Sequence, residues 1–379
     1  MDFSFSEEQT LLRNSVSKYI ADNYSYDSWR KFTRNDLGRD PKHWAQFAEL
    51  GLFAAPLPEA HGGLGGGAIE TLVIMEEFGR GLVVEPFVPT VVIAGGLLAR
   101  HGTDPLKAEW LPKIASGETI IAFAFAEPQG RYNLADLKTT AKKQGGNFVL
   151  NGHKAVVVGA PWADQLVVTA RTAGGQRDAK GVSLFLVDKK SKGISTRDYP
   201  TVDGNRASEI TFENVEVPAS RVIGAIDGGL PFVDHAVDEA IAAVCAEACG
   251  GMKVLVDATV EYSKTRKQFG VPIGKFQALQ HRMVDMFVNY EQAVSITLMV
   301  TLKLGESDEE RAKAASAAKA EIGKAGRFVG QQAIQIHGGM GMTDELNVGH
   351  YFKRLTMIDT LYGSTDHHLR RYGALAVAA

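Results

Sequence analysis

The feature that most constrains this 379-residue chain is its hydrophobic period, which changes twice. Residues 1–118 carry apolar side chains at helical spacing, residues 119–225 alternate apolar and polar side chains as strands do, and residues 226–379 return to helical spacing. The middle segment contains seven candidate short strands with no helix between them, which predicts a small antiparallel β-barrel and not a doubly wound sheet. We therefore predict an α+β chain with three domains at these bounds: an N-terminal helical domain, the central barrel and a C-terminal four-helix bundle.

Local signals mark the ends of these elements. Ser6 and Gln9 predict a capped first helix, and Gly145-Gly146 and Asn151-Gly152 predict turns. The glycine-rich segment 58–67 predicts a turn between helices, because no strand precedes it as a dinucleotide-binding loop requires. The candidate strands are 120–125, 136–143, 147–158, 165–172, 182–188, 194–200 and 208–217, and the candidate helices after them are 231–265, 276–304, 308–337, 343–356 and 364–377.

Composition argues against several classes of function. A net charge of −3 gives no electrostatic basis for binding nucleic acid or an anionic membrane surface. No apolar run reaches the roughly 18 residues that span a bilayer, and acids stand where a targeting peptide would carry bases, so we expect a cytoplasmic protein. Cys245 and Cys249 lie one helical turn apart with no histidine at ligand spacing, so we interpret them as packing residues and predict no metal site.

The stretch 261–282 ends one predicted helix and begins the next. Helix breakers at 270–274 place Arg266, Gln268 and Phe269 at a helix end, where side chains can leave a bundle. An arginine, an amide and an aromatic ring suit a phosphate with an attached planar base. The alternative is an ordinary charged helix end with Phe269 packed in the core, because cations are expected at helix C-termini.

Two motifs resemble those of the acyl-CoA dehydrogenase family. The string Tyr262-x-x-x-Arg-x-Gln-Phe-Gly270 is similar to the start of that family's C-terminal bundle, and Gln335-Ile-His-Gly-Gly-Met-Gly341 is similar to its second FAD motif. The resemblance covers essentially the whole chain and implies that both motifs contact the ADP half of FAD across a subunit interface, hence an oligomer. The residues that it implies for this contact are Arg266, Gln268, Phe269, Gln335, Gly338 and Gly339.

The resemblance also implies an activity. Members of the family are oxidoreductases that convert an acyl-CoA thioester to the trans-2-enoyl form, in fatty acid or dicarboxylic acid degradation. A glutamate removes the α-proton, the β-hydrogen leaves as hydride to the flavin, and an electron-transfer flavoprotein takes the electrons. FAD, an acyl-CoA substrate and that flavoprotein are therefore the expected cofactor and partners.

The bed for the flavin ring departs from the family pattern. Ala126 replaces a threonine hydroxyl, and Arg131 and Tyr132 replace a small Gly-Ser pair. The string Trp-Ile-Thr-Asn-Gly is replaced by 156–160, Val-Val-Val-Gly-Ala, so the aromatic wall and a second hydroxyl are absent. Each lost buried partner is expected to weaken flavin binding by about 1–3 kcal/mol.

The catalytic base is also altered. Tyr362 stands where most members carry the glutamate of Tyr-Glu-Gly-Thr, and Ser364 of the same string is counted among the cofactor contacts. A minority carry the base on the first bundle helix, where this chain has Ala240, with Glu239 one residue off. Glu247 returns to nearly the face of Ala240 and is the candidate catalytic group, the alternative being a structural pair with a Lys or Arg of a neighbouring helix.

The surviving ADP motifs and the eroded flavin bed together resemble the small subunit of heteromeric acyl-CoA dehydrogenases, such as pimeloyl-CoA dehydrogenase and the steroid side-chain enzymes. In those enzymes a homologous large subunit carries flavin and base. Two alternatives stay open: a self-sufficient homotetrameric dehydrogenase with an atypical base, and a flavin-dependent monooxygenase on the same scaffold. Arg131 and Tyr132 are further predicted to narrow the acyl-CoA channel.

Overall fold

A computed structural model of the chain describes residues 4–377. These residues group into two units by their internal contacts. The first unit holds the described residues through Lys31, the segment Ala68–Val83 and the chain from Ile241 onward; the second holds Phe32–Gly67 and Val84–Ala240. The three domains predicted at 1–118, 119–225 and 226–379 follow the chain order instead, and those bounds stay a prediction.

Helices fill the part of the chain before the first strand. The first begins with the predicted capping box, in which the Ser6 amide donates to Gln9 Oε1 at 3.0 Å and the Gln9 amide donates to Ser6 Oγ at 3.2 Å. The glycine-rich segment 58–67 forms turns and a short 3₁₀ helix, as predicted. The helices are α1 (Glu7–Asn23), α2 (Tyr26–Thr33), α3 (Pro41–Glu49), α4 (Ala68–Gly81), a buried π-helical segment Val88–Gly95, α5 (Gly96–His101) and α6 (Asp104–Ala115).

The middle of the chain forms one mixed sheet, in which all seven predicted strands are present. Its hydrogen-bonded order is β6-β7-β3-β2-β4-β5-β8, with β1 paired to β4. The β1–β4 and β2–β4 pairs are parallel and the others antiparallel. The strands are β1 (Ile121–Ala124), β2 (Thr140–Gln144), β3 (Asn147–Val158), β4 (Gln165–Arg171), β5 (Val182–Asp188), β6 (Ile194–Pro200), β7 (Arg206–Pro218) and β8 (Val222–Ile223).

Two predictions about this sheet are wrong. The sheet is not a closed antiparallel barrel, because the strands at the ends of its order, β6 and β8, do not pair with each other. Strand β8 has only two residues, and most of β6 is exposed and carries the charged and proline residues typical of an edge. The Asn151-Gly152 pair is not a turn either: it lies within β3, where pairing with β7 shifts register between Leu150 and Gly152.

Helices return after the sheet and occupy almost all of the remaining described chain. They lie within one or two residues of the predicted bounds, except α10, which begins five residues later and ends four later. Five α-helices are described here, so this part is helical as predicted but is not limited to four. They are α7 (Leu230–Thr265), α8 (Gln277–Lys303), α9 (Asp308–His337), α10 (Val348–Thr360) and α11 (Thr365–Val377), and a small hairpin of β9 (Lys267–Gln268) and β10 (Val271–Pro272) separates α7 from α8.

The cysteine thiols are both in the core, free and fully screened from solvent. Burial raises the pKa of the Cys245 thiol to about 12 and also raises that of Cys249, whose Sγ lies 3.3 Å from Thr297 Oγ1. Such thiols are inert packing groups. No helix within residues 4–377 has the length and apolarity that crossing a bilayer requires.

Candidate functional site

The hairpin after α7 presents Phe269 to solvent. The register pairs Gln268 with Val271, which leaves Phe269 and Gly270 as a two-residue turn. Phe269 is 92% exposed, so the alternative in which its ring packs in the core is wrong. The ring meets the edge of the Phe276 ring, at 6.1 Å between centroids.

This turn holds Phe269 in a backbone conformation that aromatic residues avoid. Its φ is +53° and that of Gly270 is +81°, the signs required at both central positions of a type I′ turn. Asparagine or glycine is the ordinary choice at such a position, because a Cβ crowds the backbone when φ is positive. A strained and almost fully exposed ring at a hairpin tip indicates a binding function.

The second motif lies where α9 ends. Gln335 is exposed on the last turn of the helix, and Gly338 and Gly339 follow it in a short 3₁₀ turn. Gly338 has φ +62° and ψ −138°, a conformation available essentially to glycine alone. Among the described residues, and apart from those adjacent in the chain, no heavy atom lies within 4 Å of the position of a Cβ on either glycine, so their main chain is open to a ligand.

The structure brings these two sequence motifs together. The ring of His337 stacks on that of Tyr262 with 4.4 Å between centroids and 27° between planes. The Tyr262 hydroxyl also donates to the His337 carbonyl at 3.4 Å. The first motif thus contacts the second through Tyr262, four residues before Arg266, and His337, one residue before Gly338.

The combined surface fits the nucleotide end of a dinucleotide. The Arg266 guanidinium is exposed and makes no hydrogen bond or ion pair with any residue that the structure describes. A guanidinium with free donors suits a phosphate, an exposed aromatic ring suits a planar base, and an open glycine main chain suits the close approach of phosphates. Ser364 lies elsewhere in the chain, before α11, where its Oγ accepts the His367 amide at 3.4 Å.

Glu247 is held in a bidentate ion pair. Its side chain is 4% exposed, and Arg354 on α10 donates from Nε to Oε1 at 2.6 Å and from Nη2 to Oε2 at 2.8 Å. Both carboxylate oxygens are therefore occupied by one guanidinium. This geometry favours the structural interpretation of Glu247 over its role as a base.

Tyr362 lies beside this pair, in a turn that a buried lysine holds. Burial raises the pKa of the Tyr362 phenol, Arg354 opposes the shift and Glu247 adds to it. The Lys319 ammonium, with no solvent exposure, donates to the carbonyls of Asp359 at 2.9 Å and Gly363 at 2.6 Å. A phenol whose pKa lies above its usual value is a poor base at neutral pH.

Glu239 is also occupied, in the second unit. Arg100 donates to it from Nη1 at 2.7 Å and from Nη2 at 2.5 Å, and His235 Nε2 lies 3.5 Å away. Burial raises the pKa of the Glu239 carboxyl, but His235 and Arg100 outweigh burial and hold this pKa below its usual value. This carboxylate is an ion-pair partner and not a raised-pKa base.

The residues expected to face a flavin ring offer few side-chain hydrogen bonds. The Ala126 carbonyl accepts the Ala155 amide at 2.9 Å. Val156 is 49% exposed with φ +52°, at a second register shift between β3 and β7. The side chains of Ala126 and Val156 contain only carbon, which does not fit a bed that relies on hydroxyl donors.

The loop after Ala126 is tied to itself and to the sheet. Lys154 and Glu127 form an ion pair of 2.8 Å with side-chain exposures of 0% and 1%, and burial lowers the pKa of Lys154 to about 8. Asp136 accepts from Gln176 Nε2 and Arg177 Nε, each at 2.6 Å. These contacts fix both ends of the segment that contains Arg131, whose φ is +48°.

The sequence missed the partners that occupy its candidate carboxylates. Arg354 lies 107 residues from Glu247, and Arg100 lies 139 residues from Glu239. One signal was present: a charged residue on the apolar face of a predicted helix requires an opposite charge. That signal indicates that a partner exists without identifying it.

Three family models match the chain: acyl-CoA dehydrogenase N-terminal domain at 6–118, middle domain at 122–215 and C-terminal domain at 227–375. Acyl-CoA dehydrogenase fadE12 of Mycobacterium bovis is 30% identical over 357 residues, which cover 92% of this chain and 90% of that protein. The solved Tcur3481-Tcur3483 steroid ACAD G363A variant is 29% identical with a TM-score of 0.88, covering 98% of both chains. The FAD complex of PigA is 26% identical with a TM-score of 0.92, covering 100% of both.

Proposed function

Because the chain belongs to the acyl-CoA dehydrogenase family, we propose that it is the small subunit of a heteromeric FAD-dependent acyl-CoA dehydrogenase. In this role it completes the ADP half of the FAD site of a homologous large subunit, which supplies the flavin bed and the base. The assembled enzyme would oxidise an acyl-CoA thioester to the 2-enoyl form and pass electrons to an electron-transfer flavoprotein. The similarity to the Tcur3481-Tcur3483 steroid ACAD, whose name joins two components, supports a pair of unlike chains.

The observation that carries the proposal is that both candidate carboxylates, Glu247 and Glu239, are already held in ion pairs. The two glutamates nearest to the family's alternative base position, Glu247 and Glu239, are each clamped by an arginine with both oxygens occupied. Tyr362 stands at the usual base position with a raised pKa. A self-sufficient dehydrogenase would have to break one of these ion pairs before every turnover.

The exposed surface of the first unit supports the other half of the proposal. FAD supplies the hydride acceptor when it is bound, and Arg266, Gln268, Phe269, Gln335, Gly338 and Gly339 would hold its diphosphate and adenosine. The neighbouring helix α8 leaves Val284, Phe287 and Val288 at 57%, 51% and 44% exposure. Three apolar side chains at helical spacing on one face are consistent with a covered interface in an oligomer such as a tetramer.

Arg131 and Tyr132 support a further part of this proposal. Their loop is fixed at Glu127 and Asp136, which supports the proposal that these bulky side chains would be held in place and would narrow the acyl-CoA channel. Replacing both residues by Gly-Ser should increase binding of an acyl-CoA by the isolated chain. No increase in binding, with thermal stability unchanged, would show that the channel is limited elsewhere.

The central experiment compares the chain alone with the chain plus a homologous large subunit. We expect the purified chain to lack the flavin absorbance near 450 nm and acyl-CoA oxidation to appear only when the large subunit is added. Stoichiometric flavin in the lone chain with acyl-CoA oxidation would establish the self-sufficient dehydrogenase instead. Oxygen consumption by its NADH-reduced flavin would establish the monooxygenase.

A charge-matched pair of variants tests the ADP contact. Arg266→Ala should weaken flavin retention by the two-subunit enzyme about tenfold or more, the scale of one lost charge-assisted contact. Arg370→Ala removes the same charge from an exposed position on α11 and should leave retention within about twofold. Equal loss from both variants would mean that general charge, and not this contact, holds the cofactor. The three domain bounds and the cytoplasmic location predicted from the sequence are retained as parts of this proposal.

A further inference from the structure

One face of strands β3, β7 and β6 carries a line of polar side chains that the proposed function does not use. The register pairs His153 with Thr211 and Thr211 with Ser195. Two residues further along these strands, it pairs Glu209 with Arg197. Side chains two residues apart on a strand share a face, so these five lie on the same side of the sheet. They belong to one unit of the chain.

Glu209 is the centre of this cluster, and its carboxylate is already satisfied. Oε2 is 2.8 Å from His153 Nε2, and Oε1 accepts the Tyr199 hydroxyl at 2.9 Å and the Val156 amide at 3.4 Å. Burial raises the pKa of the Glu209 carboxyl, but the hydrogen bonds from Tyr199 and His153 outweigh burial and hold this pKa below its usual value. In return, burial and Glu209 raise the pKa of Tyr199 to about 12.

Arg197 has no counter-ion among the residues that the structure describes. It lies directly across from Glu209 in the strand register, yet it forms no hydrogen bond or ion pair with any residue in the described part of the chain. The carboxylate of its neighbour Asp198 accepts from Ser208 at 2.6 Å instead. Since Glu209 already has three donors, the guanidinium keeps its own donors for something else.

A cavity of about 310 Å³ opens beside these groups. Apart from Glu209, the polar groups that line it include hydrogen-bond donors and one unpaired cation, a set that suits a ligand with several acceptor oxygens and negative charge. The lining residues are His153, Ser195, Thr196, Arg197, Glu209 and Thr211.

The adjoining backbone is strained, which points to function independently. Val156 has φ +52°, and a β-branched residue there is an outlier that persists only when its surroundings enforce it. It occupies the register shift between Lys154 and Val157, and its amide is one of the donors to Glu209. Bulges of this kind are common beside binding sites, where they direct a group toward a ligand.

We propose that this cavity binds a small oxyanion, a phosphate or a carboxylate, through the Arg197 guanidinium and the hydroxyls of Ser195 and Thr211. Glu209 acts as a positioning residue: by accepting from His153, Tyr199 and Val156 it fixes the wall of the cavity. The site shares no residue with the ADP surface around Arg266, and its existence does not depend on whether this chain is a small subunit.

The test is a titration of the full-length chain followed by magnetic resonance of isotope-labelled histidine side chains. The His153 signal, assigned with His153→Asn, should shift saturably with potassium phosphate or potassium succinate and not with potassium chloride at equal ionic strength. The tighter of the two anions identifies the chemical class. Arg197→Ala should weaken binding about tenfold or more.

Lys192→Ala is the matched control, because it removes one exposed positive charge just before β6 without touching the lining of the cavity. It should leave the affinity within about twofold. Two outcomes overturn the proposal: no saturable shift with either anion up to tens of millimolar, or equal weakening by Lys192→Ala and Arg197→Ala. Because Arg197 is exposed, its replacement should not disturb folding, which the thermal unfolding temperature verifies.

Discussion

Phe269→Asn is expected to stabilise the chain and to impair its function at the same time. Phe269 is 92% exposed, so replacing it removes almost no buried area. The positive φ of +53° costs an ordinary residue about 1–2 kcal/mol, a cost that asparagine largely avoids in an Asn-Gly type I′ turn. Losing the edge contact with Phe276 lowers the stability by about 0.5 kcal/mol, the low end for an exposed aromatic pair.

The net effect is a gain of about 0.5–1.5 kcal/mol, which corresponds to a rise of roughly 1–2 °C in Tm for a chain of this length. Scanning calorimetry of the two variants Phe269→Asn and Phe269→Ala measures it. Alanine removes the ring but keeps a Cβ at positive φ, so it should bring no gain. If asparagine destabilises the chain by more than about 1 kcal/mol, the ring is packed and our argument from strain is refuted. If Phe269→Ala raised the stability equally, the cause would be the removal of the exposed ring and not the relief of backbone strain.

The same substitution should weaken what the ring binds. Stacking of an aromatic side chain on a nucleic-acid base is worth about 1–3 kcal/mol, so flavin retention by the two-subunit enzyme should fall about five- to a hundredfold. Retention is measured by dialysis against flavin-free buffer, with absorbance as the readout. Unchanged retention would remove Phe269 from the ADP surface.

Three further predictions follow from buried polar groups. Arg354→Met leaves the Glu247 carboxylate buried and unpaired and should cost about 3–5 kcal/mol, whereas Arg354→Met with Glu247→Leu should recover most of that loss in thermal unfolding. Lys319→Met leaves two buried carbonyls without a donor and should cost about 2–3 kcal/mol, read by the same measurement. Burial lowers the pKa of His368 from 6.5 to about 3, so the unfolded state binds more protons between those pH values and stability falls as the pH falls through them. His368→Gln should flatten that slope by up to about 1.4 kcal/mol per pH unit, measured from the free energy of unfolding across this pH range.

The order of helices and strands could be predicted because local sequence signals, such as hydrophobic period and helix-ending glycine, indicate each element. Helix α9 occupies its predicted bounds, because helical periodicity runs up to Gly338, where the helix ends. In the structure Ser307 caps its first turn. Strand β3 was also predicted at its observed bounds from alternation alone. In contrast, the Asn151-Gly152 pair has the chemistry of a tight turn, but the long antiparallel pairing with β7 absorbs it as an irregularity within the strand.

Contacts between distant segments could not be predicted in the same way. Seven strands are compatible with an open or a closed sheet, and closure depends on stagger and pairing that no local pattern records. The partners of Glu247 and Glu239, and the His153–Glu209–Tyr199 cluster, join segments 10 to 139 residues apart. The candidate carboxylates were identified from the sequence, but whether each one is available depends on these distant neighbours.

The position of Tyr362 beside the Glu247–Arg354 pair limits how a carboxylate base could be introduced there. A glutamate at position 362 would bring a second acid to a single guanidinium that already binds both oxygens of Glu247, and two like charges at close range oppose each other's ionisation. A working base at position 362 would therefore need coordinated changes at both positions, so each single step toward it is disfavoured. If the chain is a small subunit, as we propose, an electrostatic obstacle and not only the absence of one residue would keep it in that role.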